Sequence, residues 1–187
     1  MRFVELSCDS LLFHSIRFNK EGLSLIVGDG PEDRAQEGSS NGVGKTLSLE
    51  LAHHCLGANV DLRLKKATPD WRFTLTFQTR DGDHVIARTG DGKKIWLDNR
   101  HVSLQGLRRW LDESGAFYLD PSIPSLSFRS LFKRFARYAR EDCFDPLRTK
   151  KEADFEGLLR SSYLLGLDCS LEVSKKQHKV QLDELSQ

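Results

Sequence analysis

The residues with the clearest chemical purpose are Ser39-Ser40-Asn41-Gly42-Val43-Gly44-Lys45-Thr46. Gly42 and Gly44 leave the backbone without Cβ atoms, so that successive N–H groups can close around a phosphate. Lys45 brings a point charge to the β and γ oxygens, and the Thr46 hydroxyl is a hard oxygen ligand suited to Mg²⁺. A helix opening here would add the partial positive charge of its amino end. The usual first glycine of such a loop is replaced by Ser39, with Gly38 one place upstream. The competing reading is a glycine-rich turn that does no more than start a helix.

A phosphate cradle needs a strand before it and a helix after it, and the flanking residues predict both. Leu23-Ser24-Leu25-Ile26-Val27 is a short apolar run ending at Gly28, as expected of a buried strand. Asp29 to Asn41 is polar and rich in Gly, Ser and acidic residues, which predicts a loop. From Lys45 on, Leu47, Leu49, Leu51, Ala52, Cys55 and Leu56 predict a mostly buried helix that stops at Gly57. Upstream, alternating apolar residues in Met1 to Leu6 and in Leu11 to Phe18 predict two further strands.

The remaining elements follow from periodicity. Trp71, Phe73, Leu75 and Phe77 alternate with polar residues, Asp81-Gly82 marks a hairpin, and His84 to Thr89 and Lys94 to Leu97 complete an expected three-stranded meander. Leu104, Leu107, Trp110 and Leu111 have helical spacing. Phe128, Leu131, Phe132, Phe135 and Tyr138 mark one face of a further helix, and Phe155, Leu158, Leu159 and Tyr163 another. After Asp168 the texture thins to Leu171, Val173, Val180, Leu182 and Leu185 among polar residues, as at the root of a coiled coil. The chain ends within that pattern, after fewer than three heptads, so a piece of something longer is expected.

Composition bounds the function classes. With 187 residues, 39% of them hydrophobic and 29% charged, the chain fits a soluble globular protein and neither a disordered segment nor a membrane span. A net charge of +1 supplies no global field for nucleic acid or anionic membrane, so any such contact must be local. Cys8, Cys55, Cys143 and Cys169 form no C-x-x-C pair and read as free thiols. The charged amino terminus is not a secretory signal, and a reducing cytoplasmic compartment is expected.

Phe13 to Phe18, the turn at Gly22, Leu25-Ile26-Val27-Gly28 and Ser40-Asn41-Gly42-Val43-Gly44-Lys45-Thr46 together resemble the opening of the ABC-type ATPase heads of the SMC, Rad50 and RecN group. The likeness is greatest to a bacterial branch with a polar insertion before the P-loop. It implies an α/β P-loop NTPase lobe with an antiparallel β subdomain and a helical extension into a coiled coil. The implied division is an ATP-binding lobe over 1–168 and the start of a coiled coil over 169–187. The implied nucleotide site is Ser39, Ser40, Asn41, Gly42, Val43, Gly44, Lys45, Thr46 and Leu47, with Lys45 catalytic and Thr46 on Mg²⁺. In this group the signature motif, the Walker B acids and the switch histidine lie in a C-terminal lobe after the coiled coil. ATP is held between two heads, and hydrolysis works on DNA in repair, chromosome handling or anti-phage defence. The implied partners are therefore ATP, DNA through the complete protein, a second copy through heads and coiled coil, and partner proteins, with no membrane. The chain alone is expected to bind nucleotide poorly and to hydrolyse it hardly at all.

Weaker signals leave other readings open. Phe117-Tyr118-Leu119-Asp120 resembles a Walker B strand, though Pro121 favours a turn; in a compact P-loop kinase or GTPase, Asp120 would hold the metal. The group's glutamine loop has no clear counterpart: Gln105 sits in a predicted helix, and Ser127 and Arg129 occupy the expected place. Arg129, Lys133 and Arg137, with Arg134 and Arg140, could meet DNA phosphates, although a solvated face is the plainer account. Adjacent His53 and His54 point in different directions on a helix, which disfavours a metal pair, and His14 reads as a strand histidine or a nucleotide contact. A non-enzymatic assembly domain with a vestigial P-loop is the remaining alternative.

Overall fold

The structure, a computed structural model, describes residues 1–27, 44–123, 125–137, 142, 144, 145, 149 and 152–185. The chain divides into two compact units, Met1–Ala116 and Phe117–Gln187. The change of texture after Asp168 therefore falls inside the second unit.

The first unit is a mixed α/β arrangement around one antiparallel sheet. Its strands are β1 (Arg2–Cys8), β2 (Ile16–Arg17), β3 (Arg72–Gln78), β4 (Asp83–Thr89), β5 (Ile95–Leu97) and β6 (Arg100–His101), in the spatial order β2-β1-β3-β4-β5-β6. Register decides which side chains go inward: Leu6 lies opposite Leu75, and Leu75 opposite Ile86, and all three are fully buried. With Phe73, Phe77 and Ile95 they line one face of the sheet. Helix α1 (Lys45–Cys55) covers that face with Leu51, Ala52 and Cys55, and α3 (Leu104–Glu113) adds Leu107 and Leu111. A short helix, α2 (Leu62–Ala67), sits between α1 and β3, with Asp61 as its side-chain cap.

The meander forms as its alternation predicts, and tertiary pairing extends it on both sides. β1 joins β3 although α1 and α2 intervene in sequence. At the other edge Asp98 and Asn99 both take positive φ, 47° and 65°, and make the two-residue turn that folds β6 onto β5.

Two expectations for the amino-terminal stretch need correction. Of Leu11 to Phe18 the strand β2 uses Ile16 and Arg17 alone, and Leu11 and Leu12 are 98% and 81% exposed. Leu23 to Val27 is neither a strand nor buried: Leu23, Leu25 and Val27 are 81%, 77% and 70% exposed. An apolar strand is buried when neighbours pair its edges and cover its faces. Beyond β2 no further strand among the described residues is available to do so.

The second unit is helical, with α4 (Phe128–Phe132), α5 (Asp154–Leu164) and α6 (Ser170–Leu185). Phe128, Leu131, Phe132 and Leu159 are buried, and Phe117 packs against Phe128 with ring centroids 5.4 Å apart. The helix expected to run on to Tyr138 stops at Phe132, where the N–H groups of Arg134 and Phe135 donate to the carbonyls three residues back, and Tyr138 lies outside the described residues. Along α6, Leu171, Leu182 and Leu185 are 79%, 63% and 85% exposed. Among the described residues no helix is long and apolar enough to cross a membrane.

Candidate functional site

The candidate site is the amino end of α1. Gly44 precedes the helix in the left-handed conformation (φ 78°, ψ 8°), and a Cβ there would meet nothing within 4 Å. The glycine is thus required by torsion and not by crowding. Lys45 is the first helical residue, and the Gly44 carbonyl accepts the Ser48 N–H at 3.0 Å. Gly44 offers no side-chain cap and the first turn holds no carboxylate, so the early N–H groups meet no competing anion from α1 itself. Thr46 and Leu47 are exposed at this end. An exposed hydroxyl at a helix start suits a hydrated Mg²⁺ that takes its other ligands from phosphate and water. Ser39, Ser40, Asn41, Gly42 and Val43 lie outside the described residues.

The carboxyl end of α1 is built into the sheet. Gly57, with φ 78°, directs its N–H to the His54 carbonyl at 3.2 Å, and Ala58 N–H reaches the His53 carbonyl at 2.9 Å, a backbone closure of the Schellman type. Arg88 Nη1 donates to the carbonyls of His54 and Ala58 at 2.9 and 2.7 Å. Arg108 Nε donates to Gly57 O at 2.9 Å, and His54 Nε2 donates to Thr89 O at 2.9 Å. Burial, followed by the nearby Arg88 charge, pushes the His54 pKa down to about 4, so the ring is neutral at physiological pH. With its proton on Nε2, the buried Nδ1 has no partner. Burial pushes the Cys55 thiol up to about 12, and its Sγ donates to Phe73 O at 3.6 Å.

The other sequence candidates are held in local structure of their own. Asp120 is exposed in a turn, accepting from Ser122 N at 2.8 Å, and the preceding Tyr118 has φ 48°, so Phe117 to Leu119 is not a strand. Ser127 caps α4, exchanging hydrogen bonds with Ser130, and Arg129 is half-buried on that short helix. Gln105 is exposed on α3, and His14 lies outside β2 in an exposed stretch. His53 and His54 are both 3% exposed. Cys8, Cys55 and Cys169 are free thiols, and Cys143 lies outside the described residues.

The basic stripe is partly consumed by the fold. Arg134 donates to Glu152 Oε2 at 2.9 Å and to Gly157 O at 3.0 Å, while Arg137 donates to the carbonyls of Asp142 and Asp145. Arg160 completes the cluster at 2.5 Å from Glu152 Oε1. Lys133 remains exposed, and Arg140 lies outside the described residues. A cleft of about 560 Å³ in the second unit is lined by Asp120, Tyr163, Asp168 and Cys169, but both carboxylates cap local turns. Among the described residues no group of three or more His, Cys, Asp or Glu side chains could hold a metal.

Arg88 and Arg108 are not among the sequence candidates, although both bind the carboxyl end of α1. A signal for Arg88 was present, because His84, Ile86 and Arg88 share the inward parity of β4. An arginine at such a position implies a buried polar partner. No protein-family model matches the chain, and no curated protein matches it.

Proposed function

We propose that the chain binds ATP with Mg²⁺ at the amino end of α1 and forms the N-terminal lobe of an SMC, Rad50 or RecN-like ATPase head, whose complete form acts on DNA. The observation that carries the reading is the left-handed Gly44 leading directly into an α1 that starts at Lys45. In Gly-x-Gly-Lys-Thr this geometry turns the early amides toward a bound phosphate. In the proposed mechanism these amides hold the β-phosphate in place, and the Lys45 ammonium offsets charge that grows on the γ oxygens during transfer. The Thr46 hydroxyl holds Mg²⁺, which neutralises phosphate charge when bound.

The exposure of Leu23 to Val27 supports the further proposal that a second lobe completes the site. Contiguous apolar side chains in water mark a surface that another part of a protein covers. Hydrolysis is accordingly assigned to complete heads that meet, with Lys45 as the catalytic residue from this chain.

Calorimetric titration with ATP and Mg²⁺, beside Lys45→Ala and a GTP control, tests the reading. The expected result is weak ATP binding that falls roughly 10- to 100-fold in Lys45→Ala, the loss of one charge-assisted contact. Absence of binding by the folded chain, both alone and joined to the proposed second lobe, would overturn it. Turnover by the chain alone that rises linearly with its concentration and vanishes in Lys45→Ala would instead establish a compact P-loop enzyme.

A further inference from the structure

Arg88 is among the largest fully buried side chains of the first unit, at 1% exposure, and no carboxylate among the described residues pairs with it. Asp91, whose charge reaches it, is engaged by Thr89 Oγ1 at 2.7 Å and by Lys93 N at 3.0 Å. A guanidinium taken out of water without a counter-charge is costly, and an apolar residue of similar volume usually serves a core as well or better. Its partners here are carbonyls at and just beyond the carboxyl end of α1, where the helix dipole is negative. Capping alone does not account for it, because Gly57 and Ala58 already close that end through the backbone.

What Arg88 adds is a cross-link from β4 to the end of α1. Arg108 on α3 and the His54 to Thr89 bond reinforce the same point. The surroundings are shaped to keep the guanidinium there: a Cβ at Gly92 would stand 2.8 Å from Arg88 Nη2 and 2.2 Å from Val60 Cγ2. Helix α1 has 11 residues and is about 16 Å long. A tilt of about 5° about its anchored end moves the Lys45 end by about 1.4 Å, and displacements of that order are enough to disable phosphate chemistry.

We propose that Arg88 is a positioning residue for the phosphate-binding end of α1, setting the height and rotation of the helix from its opposite terminus. The proposal rests on the ATP-binding reading. Arg88→Lys keeps the charge and part of the hydrogen bonding, whereas Arg88→Met keeps the volume alone. Each variant of the full chain would be followed by urea unfolding, by amide hydrogen exchange over residues 44–58, and by ATP and Mg²⁺ titration. Arg88→Met is expected to exchange about tenfold faster over those residues and to bind ATP about tenfold more weakly, with Arg88→Lys between it and the native chain. Native exchange and native affinity in Arg88→Met would overturn the proposal and leave Arg88 as core filling. If Arg88→Met does not fold, Arg88→Lys decides: weaker ATP binding at undiminished urea stability supports positioning, and unchanged affinity overturns it. If the native chain binds no ATP either alone or joined to the proposed second lobe, the ATP reading has failed separately. The exchange experiment then stands alone, with local acceleration at unchanged urea stability supporting helix positioning and uniform exchange overturning it.

Discussion

His54 and Glu152 show how a single buried group makes stability depend on pH or charge. His54 is neutral in the folded chain down to about pH 4, whereas the same ring in the unfolded chain takes up its proton near 6.5. Its contribution is therefore fully present above pH 6.5 and is lost as pH falls toward 4, because the unfolded state then binds the extra proton. The loss is on the order of 3 kcal/mol. Urea unfolding at pH 7.5 and pH 4.5 should show this dependence in the native chain and a flatter one in His54→Gln, whose amide can still donate to Thr89. For Glu152, burial pushes the carboxyl up, but the Arg160 hydrogen bond, the Thr149 N–H and the charges of Arg134 and Arg160 outweigh it and hold the group low. Glu152→Gln would take the carboxylate away from the buried Arg134 guanidinium and leave Arg160 to Glu156, 3.1 Å away. A destabilisation of about 3–5 kcal/mol in urea is expected.

At the scale of elements, the glycines that matter are those that allow close approach. Gly92, with φ 73°, lies where the turn between β4 and β5 presses on Val60 and Arg88. Gly92→Ala should cost about 2–4 kcal/mol, since torsional strain and overlap act together, and differential scanning calorimetry would read it as a lowered transition temperature. Helix α4 is short enough to depend on its cap, in which Ser127 Oγ accepts the Ser130 N–H at 3.1 Å. Ser127→Ala is expected to lose about 1 kcal/mol. These effects belong to backbone geometry and should not change with ionic strength, unlike those of an exposed ion pair such as Arg17 with Glu5.

For the whole molecule, the informative surface is the one left apolar. Leu23 and Leu25 contribute little to the stability of the chain by itself, because both are already in water. The double change Leu23→Ser and Leu25→Ser should shift urea stability by no more than about 0.5 kcal/mol. If a second lobe covers this surface, the same change lowers the affinity for that lobe. Light scattering would also show less concentration-dependent self-association, as expected when an apolar patch is removed.

Local pattern determined a good deal here. The alternation of Phe73, Leu75 and Phe77 forced their common inward face, and Leu51, Ala52, Cys55 and Leu56 with Gly57 marked a buried helix and its stop. The motif ending in Lys45 and Thr46 placed the candidate site at the start of that helix. Local pattern could not reveal that Leu23 to Val27 stands exposed, because burial of a strand depends on neighbours distant in sequence. Nor could it place β1 beside β3, stop α4 at Phe132, or divert Arg134 and Arg137 from a surface stripe into internal hydrogen bonds. Arg88 belongs with these: strand parity turns it inward, but the carbonyls at the end of α1 that accept its hydrogen bonds are brought to it by the tertiary fold. Periodicity reports which way a side chain faces, and only long-range packing decides what it meets.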